Sequence, residues 1–144
     1  MARIHIDLPE TFLFETEITI RVSDLNYGNH VGNDNILSLL HEVRIRFYRH
    51  LGYKNELNVE GEVGQIVTDA AIVYKSEAFL GDILIGKIAV ADFNKYGFDF
   101  VYQLINKITG KEVARAKTGT VYFDYSSRKI AMIPESFRTK LDIL

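Results

Sequence analysis

Between Arg21 and Asn33 the chain reads Arg-Val-Ser-Asp-Leu-Asn-Tyr-Gly-Asn-His-Val-Gly-Asn, a glycine-spaced loop of acid, amide and imidazole side chains that opens onto an apolar helix. The start of a helix presents unpaired N–H groups and about half a positive charge, which suits a developing oxyanion. Just upstream, Asp24, Asn26 and His30 can orient or deprotonate water. The combination points to acyl transfer to water. Each residue also has a plainer reading. Asp24 can cap the loop or pair with Arg21, Asn26 can be a turn residue, and His30 can bond to backbone near the helix start. Gly32 and Asn33 are helix-entry residues, and the same free N–H groups would bind the substrate oxygen.

The elements around this loop follow from periodicity. From Phe12 to Val22 the apolar and β-branched residues alternate with polar ones at a period close to two, which predicts a half-buried strand. From Asn35 to Leu51, Ile36, Leu39, Leu40, Val43, Phe47 and Leu51 recur at helical spacing, and Gly52 ends the run. The apolar positions fill an arc of roughly 160°, wider than the ~100° stripe of a surface helix, so a sheet is expected to wrap this helix. Four segments supply it: Gly64 to Ala78, Asp82 to Phe93, Phe98 to Asn106 and Glu112 to Tyr125, all rich in Val, Ile, Tyr, Phe and Thr. The short turns between them predict antiparallel neighbours. Lys54 to Glu62 reads as a polar loop, a candidate flexible cover, and Pro134 opens a short final helix.

Composition narrows the function. A chain of 144 residues, 47% hydrophobic, suits a single α+β domain over residues 1–144. The net charge of −2 comes with no basic stripe, which argues against nucleic acid. There is no cysteine, hence no thiolate nucleophile or disulfide, in keeping with a cytoplasmic protein. No run is long enough for a membrane span. His5, His30, His41 and His50 lack the spacing of zinc ligands, and neither a Gly-x-Ser-x-Gly elbow nor a phosphate-binding loop is present, so no cofactor is expected.

The order of elements and the loop sequence resemble the hotdog-fold acyl-CoA thioesterases related to 4-hydroxybenzoyl-CoA thioesterase. The resemblance is carried by Arg21-x-x-Asp24-x-Asn26-x-x-x-His30-Val31-x-Asn33, by Glu42 and Arg44 in the helix, by Tyr74-Lys75-Ser76-Glu77-Ala78-Phe79-Leu80-Gly81-Asp82, and by Thr118-Gly119-Thr120-Val121-Tyr122-Phe123. It implies a long central helix wrapped by an antiparallel sheet of about five strands, an acyl-CoA substrate, and a homodimer or homotetramer with sites at the subunit interface. Two positions depart from the family pattern. Its second aspartate, catalytic in several members, is Asn26, and the glycine before its histidine is Asn29. A carboxamide is no base, so Asp24 or His30 is expected to assist water, with Asp69 or Glu77 as alternative sources of a carboxylate. The rival functions are a hotdog enoyl-CoA hydratase or dehydratase and an acyl-binding protein without catalysis.

Overall fold

The computed structural model describes residues 1–143. Its elements in order are β1 (Phe14–Thr19), a 3₁₀ turn (Val22–Asp24), α1 (Asn33–His50), β2 (Val63–Tyr74), β3 (Ile83–Ala91), β4 (Gly97–Asn106), β5 (Glu112–Asp124), β6 (Lys129–Ala131) and α2 (Glu135–Ile143). The strands form one antiparallel sheet in the order β1-β3-β4-β5-β2, and β6 pairs with the far end of β5. This is the hotdog architecture, with six strands where about five were expected. The expected β2–β3 neighbourhood is corrected: β3 pairs with β1, and β2 lies at the opposite edge against β5. The linking segment passes the start of α1, where the Ala78 carbonyl accepts from Val31 N–H and Gly81 N–H donates to Ile20. A short link therefore joins the edge strand β2 to β3, an inner strand on the other side of the sheet.

The helix is enclosed because large and small side chains alternate beneath it. On the concave face Phe98, Phe100, Tyr102 and Leu104 of β4 lie opposite Thr120, Thr118, Ala116 and Ala114 of β5, and all eight are buried. Ile36, Leu39, Leu40, Val43, Phe47 and Tyr48 of α1 fill the remaining space. Gly86 on β3 gives the closest approach: a Cβ there would stand 2.5 Å from Val43 Cγ2. At the far end Phe137 of α2 stacks on Phe98 and Tyr48, at centroid distances of 5.7 and 5.4 Å. Lys140 Nζ donates to the Leu51 carbonyl at 2.8 Å, supplying a cation at the C-terminus of α1.

One charge is buried with the helix. Arg44, 5% exposed, donates through Nε to Glu56 Oε2 at 2.8 Å and through Nη1 to the Tyr102 hydroxyl at 3.3 Å. Gln65 Nε2 donates to the same Glu56 oxygen, and His41 Nε2 stands 3.0 Å from Oε1. Burial lowers the Arg44 pKa, but Tyr102 and Glu56 more than offset this and hold it above its ordinary value. The segment expected to be a flexible cover is thus pinned to α1 and β2 by Glu56.

The packing makes a specific demand at Gly86. Gly86→Ala is expected to lower unfolding free energy by about 1–3 kcal/mol through overpacking against Val43. Urea titration of Gly86→Ala, Val43→Ala and the double variant checks this. The expected result is a smaller penalty for the added methyl once Val43 is truncated.

Candidate active site

The loop before α1 is held by a buried carboxylate. Asp24, 4% exposed, accepts from Arg21 N–H through Oδ2 and from Asn35 Nδ2 through Oδ1, each at 2.8 Å, while its carbonyl accepts from Gly32 N–H. Burial raises its pKa, but the hydrogen bonds from Arg21 and Asn35 and the charge of Arg21 outweigh it. The carboxyl is therefore held below its ordinary value. Both oxygens are occupied, and they face a cavity bounded by Arg21, Asn35, Ser38, Glu42 and Arg46.

Asn26 shapes the next turn. Its Oδ1 accepts from Gly28 N–H at 2.8 Å, and its own N–H donates to the His30 carbonyl. Asn29 follows with φ of 64°, the left-handed region that glycine enters freely and asparagine tolerates, which accounts for an asparagine where the family pattern has glycine.

His30 faces a different cavity, of about 300 Å³, whose wall includes His30, Asn33, Ile36, Tyr74, Ser76 and Glu77. Its Nδ1 lies 3.1 Å from the Val31 carbonyl, a contact that requires Nδ1 to carry the hydrogen in the neutral ring. Nε2 then holds the lone pair, with Glu77 Oε1 at 3.9 Å. The first helical N–H donors within α1 are those of Asn35 and Ile36, both to the Gly32 carbonyl, so the amides of Asn33 and Asp34 precede the ladder and are left for a ligand. Gly32, the N-cap, is itself buried, and a Cβ there would meet Asp34 Oδ1 at 2.5 Å.

Of the five residues singled out in sequence, the structure brings His30 and Asn33 to one cavity, uses Asn26 to shape the turn before His30 and Gly32 to cap α1, and leaves Asp24 in another cavity. Glu77 joins the His30 cavity, whereas Asp69 sits at a β-bulge in β2, accepting from Gly119 N–H and Lys117 Nζ. Tyr74 was missed as a site residue. Its place at the end of a period-two strand, in phase with Ile72, is the signal that puts it on the concave face. Among the described residues no cluster of three or more metal-ligating side chains occurs, and no helix is long and apolar enough to cross a membrane.

The fold agrees with what known proteins show. The profile of the thioesterase-like superfamily matches residues 20–141, and the chain belongs to that family. A search of curated proteins returns no significant match. Among solved structures, the 1,4-dihydroxy-2-naphthoyl-CoA thioesterase of Synechocystis superimposes with a TM-score of 0.82 at 21% identity, covering 91% of this chain and 96% of the other. A Staphylococcus aureus protein solved in complex with CoA gives 0.82 at 17% identity, covering 96% and 87%. The DHNA-CoA thioesterase of the same organism gives 0.79 at 16%, covering 90% and 88%. These likenesses establish the fold.

The Asp24 carboxylate has a measurable signature. Asp24→Asn is expected to cost about 1.5–3 kcal/mol at neutral pH, the range for hydrogen bonds to a charged group. Because the folded pKa is depressed, this stabilisation is fully present above the unfolded value of about 3.9 and is lost as pH falls through the folded one. Urea midpoints of wild type and variant should accordingly converge on acidification below pH ~4.

Proposed function

We propose that this protein hydrolyses an acyl-CoA thioester to the free acid and CoA, working as a cytoplasmic homo-oligomer. The observation that carries the reading is the cavity that His30 shares with Asn33, the first residue of α1, whose amide precedes the helical ladder. The thioester oxygen lies against the Asn33 N–H at the helix start, which strengthens its hold as negative charge develops on it. His30 Nε2 takes a proton from the attacking water, with the Glu77 carboxylate 3.9 Å away. Collapse of the tetrahedral intermediate expels CoA thiolate, which His30 can reprotonate. Asp24 and Asn26 serve by fixing the loop that aims His30. The CoA bound to the Staphylococcus aureus relative and the thioesters named for the other two support this substrate class.

An oligomer follows from the open edge. On β2, Val67 and Ala70 belong to the concave face but remain exposed, beside the exposed Leu37 of α1. A second copy pairing along this edge would cover them and satisfy the free strand N–H and C=O groups. Sedimentation equilibrium is expected to give at least a dimer, and Val67→Lys to weaken it.

The direct test is thiol release from short, long and aromatic acyl-CoAs, read with a thiol reagent to which this cysteine-free chain adds no background. Turnover above the spontaneous rate is expected, with His30→Ala lowering kcat by about 10²-fold or more while the fold is retained. Silence across the panel overturns the reading, and undiminished turnover in His30→Ala removes His30 as the base.

A further inference from the structure

The stretch from Tyr74 to Ala78 meets the proposed site at three points. The Ala78 carbonyl accepts from Val31 N–H at 2.9 Å, which holds the backbone next to His30. Glu77 Oε1 stands 3.9 Å from His30 Nε2. At the start of the stretch the Tyr74 hydroxyl donates to the Asn33 carbonyl at 2.9 Å. His30, Asn33, Tyr74, Glu77 and Ala78 all line the same cavity of about 300 Å³. One short segment therefore holds both the proposed base and the helix residue proposed to receive the thioester oxygen.

That segment is itself tied to the sheet. Tyr74 pairs with Ala114 at the end of β2. Just beyond it, Lys75 N–H and Ser76 N–H both donate to the Val113 carbonyl, and Ser76 Oγ donates to the Glu112 carbonyl at 2.7 Å. The phenol thus extends from a fixed strand to the first turn of a helix, and helix ends fray readily. Among the described residues, two side-chain hydrogen bonds join residues 33–36 to the rest of the chain: Asn35 to Asp24, and Tyr74 to Asn33. The first lies on the side of the Asp24 cavity, and only the second lies on the side of His30. The Asn33 carbonyl is within α1, where the helical ladder supplies its own donor, so removing the phenol orphans no buried group. Tyr74 is about half exposed, so water is an alternative partner for its hydroxyl. What the phenol adds is placement: it fixes Asn33 relative to β2, as Ala78 fixes Val31.

We infer that Tyr74 is a positioning residue for hydrolysis: its hydroxyl holds Asn33 so that the amide at the start of α1 keeps its spacing from His30 Nε2. The inference rests on the thioesterase reading and adds a residue to it. Tyr74 acts through Asn33 and touches no reacting atom. Negative charge on the oxygen is fully developed only in the tetrahedral intermediate, so a loosened Asn33 weakens that state more than the bound substrate. Loss of the phenol therefore falls on kcat and spares KM.

The test compares wild type with Tyr74→Phe, which keeps the ring and loses only the hydroxyl. Thiol release is followed on the best acyl-CoA of the panel, and calorimetry follows two non-hydrolysable ligands. Trifluoroacetonyl-CoA forms a hydrate that resembles the tetrahedral intermediate, whereas S-propyl-CoA has no oxygen at that carbon. Tyr74→Phe should lower kcat by about tenfold and leave KM within about twofold, a loss below the ~10²-fold of a full 1 Å misplacement. Affinity for trifluoroacetonyl-CoA should fall by the same factor, affinity for S-propyl-CoA should hold, and the urea midpoint should stay near that of wild type. An active wild type whose kcat or trifluoroacetonyl-CoA affinity is unchanged in the variant overturns the positioning role and leaves the thioesterase reading intact. So does an equal loss of affinity for both ligands, which marks a general structural role. Absent hydrolysis in wild type overturns the thioesterase reading, and the ligands then decide the positioning role. A preference for trifluoroacetonyl-CoA that disappears in Tyr74→Phe upholds it, while no preference, a preference the variant keeps, or no binding overturns it.

Discussion

The burial of α1 along the concave face of the sheet is the constraint on which everything else depends. An 18-residue helix with buried side chains along its whole length cannot sit on a flat, evenly packed surface. The sheet makes room by placing small residues of β5 and Gly86 of β3 beneath the helix while β4 supplies the bulk. Once α1 is seated, its N-terminus is fixed where the segment between β2 and β3 passes, and that crossing brings Glu77 to His30. His30 and Glu77 come from stretches far apart in sequence, and the helix gives them a common reference.

Seating the helix also takes a guanidinium out of water. A buried charge needs an opposite one, and Glu56 provides it from a segment with no regular structure. The carboxylate then gathers His41 and Gln65 as well. Asp24 plays the matching part at the other end of α1, where one buried carboxylate joins the 3₁₀ turn to the first helical turn. Two carboxylates that each accept several donors therefore fix the surroundings of α1, one at its start and one along its length.

The sequence made the faces of the elements legible and left their partners hidden. The helix expected over Asn35 to Leu51 is Asn33–His50, because its apolar period is strong enough to survive without neighbours. Four long strands were likewise visible, since alternation reports which side of a strand is buried. It does not report which strand lies alongside, which is why the short β2–β3 link suggested a hairpin that the sheet does not contain. Three-residue β6 carries too little pattern to be seen. Arg44 could be recognised as needing a partner, yet Glu56 sits in a stretch whose polarity suggested a loose loop. The loop before α1 stood out because its polar residue types are concentrated within thirteen positions. Tyr74 donates to a carbonyl 41 residues away, and no local pattern encodes that contact.

The crossing between β2 and β3 also orders events in time. β2 finds its partner only in β5, with Val63 opposite Asp124 and Tyr74 opposite Ala114, so during synthesis it must wait for most of the remaining chain. Until then the apolar stripe of α1 has only β1 and the emerging β3 to lean on, and the β2 backbone is open along both edges. High contact order of this kind slows folding and leaves sticky intermediates. The charged and turn-rich stretch from Lys54 to Glu62 lies between these two unsatisfied elements. Its clasp on Arg44 through Glu56 joins residues only twelve positions apart, so this contact, unlike the β2–β5 pairing, does not wait for the later strands.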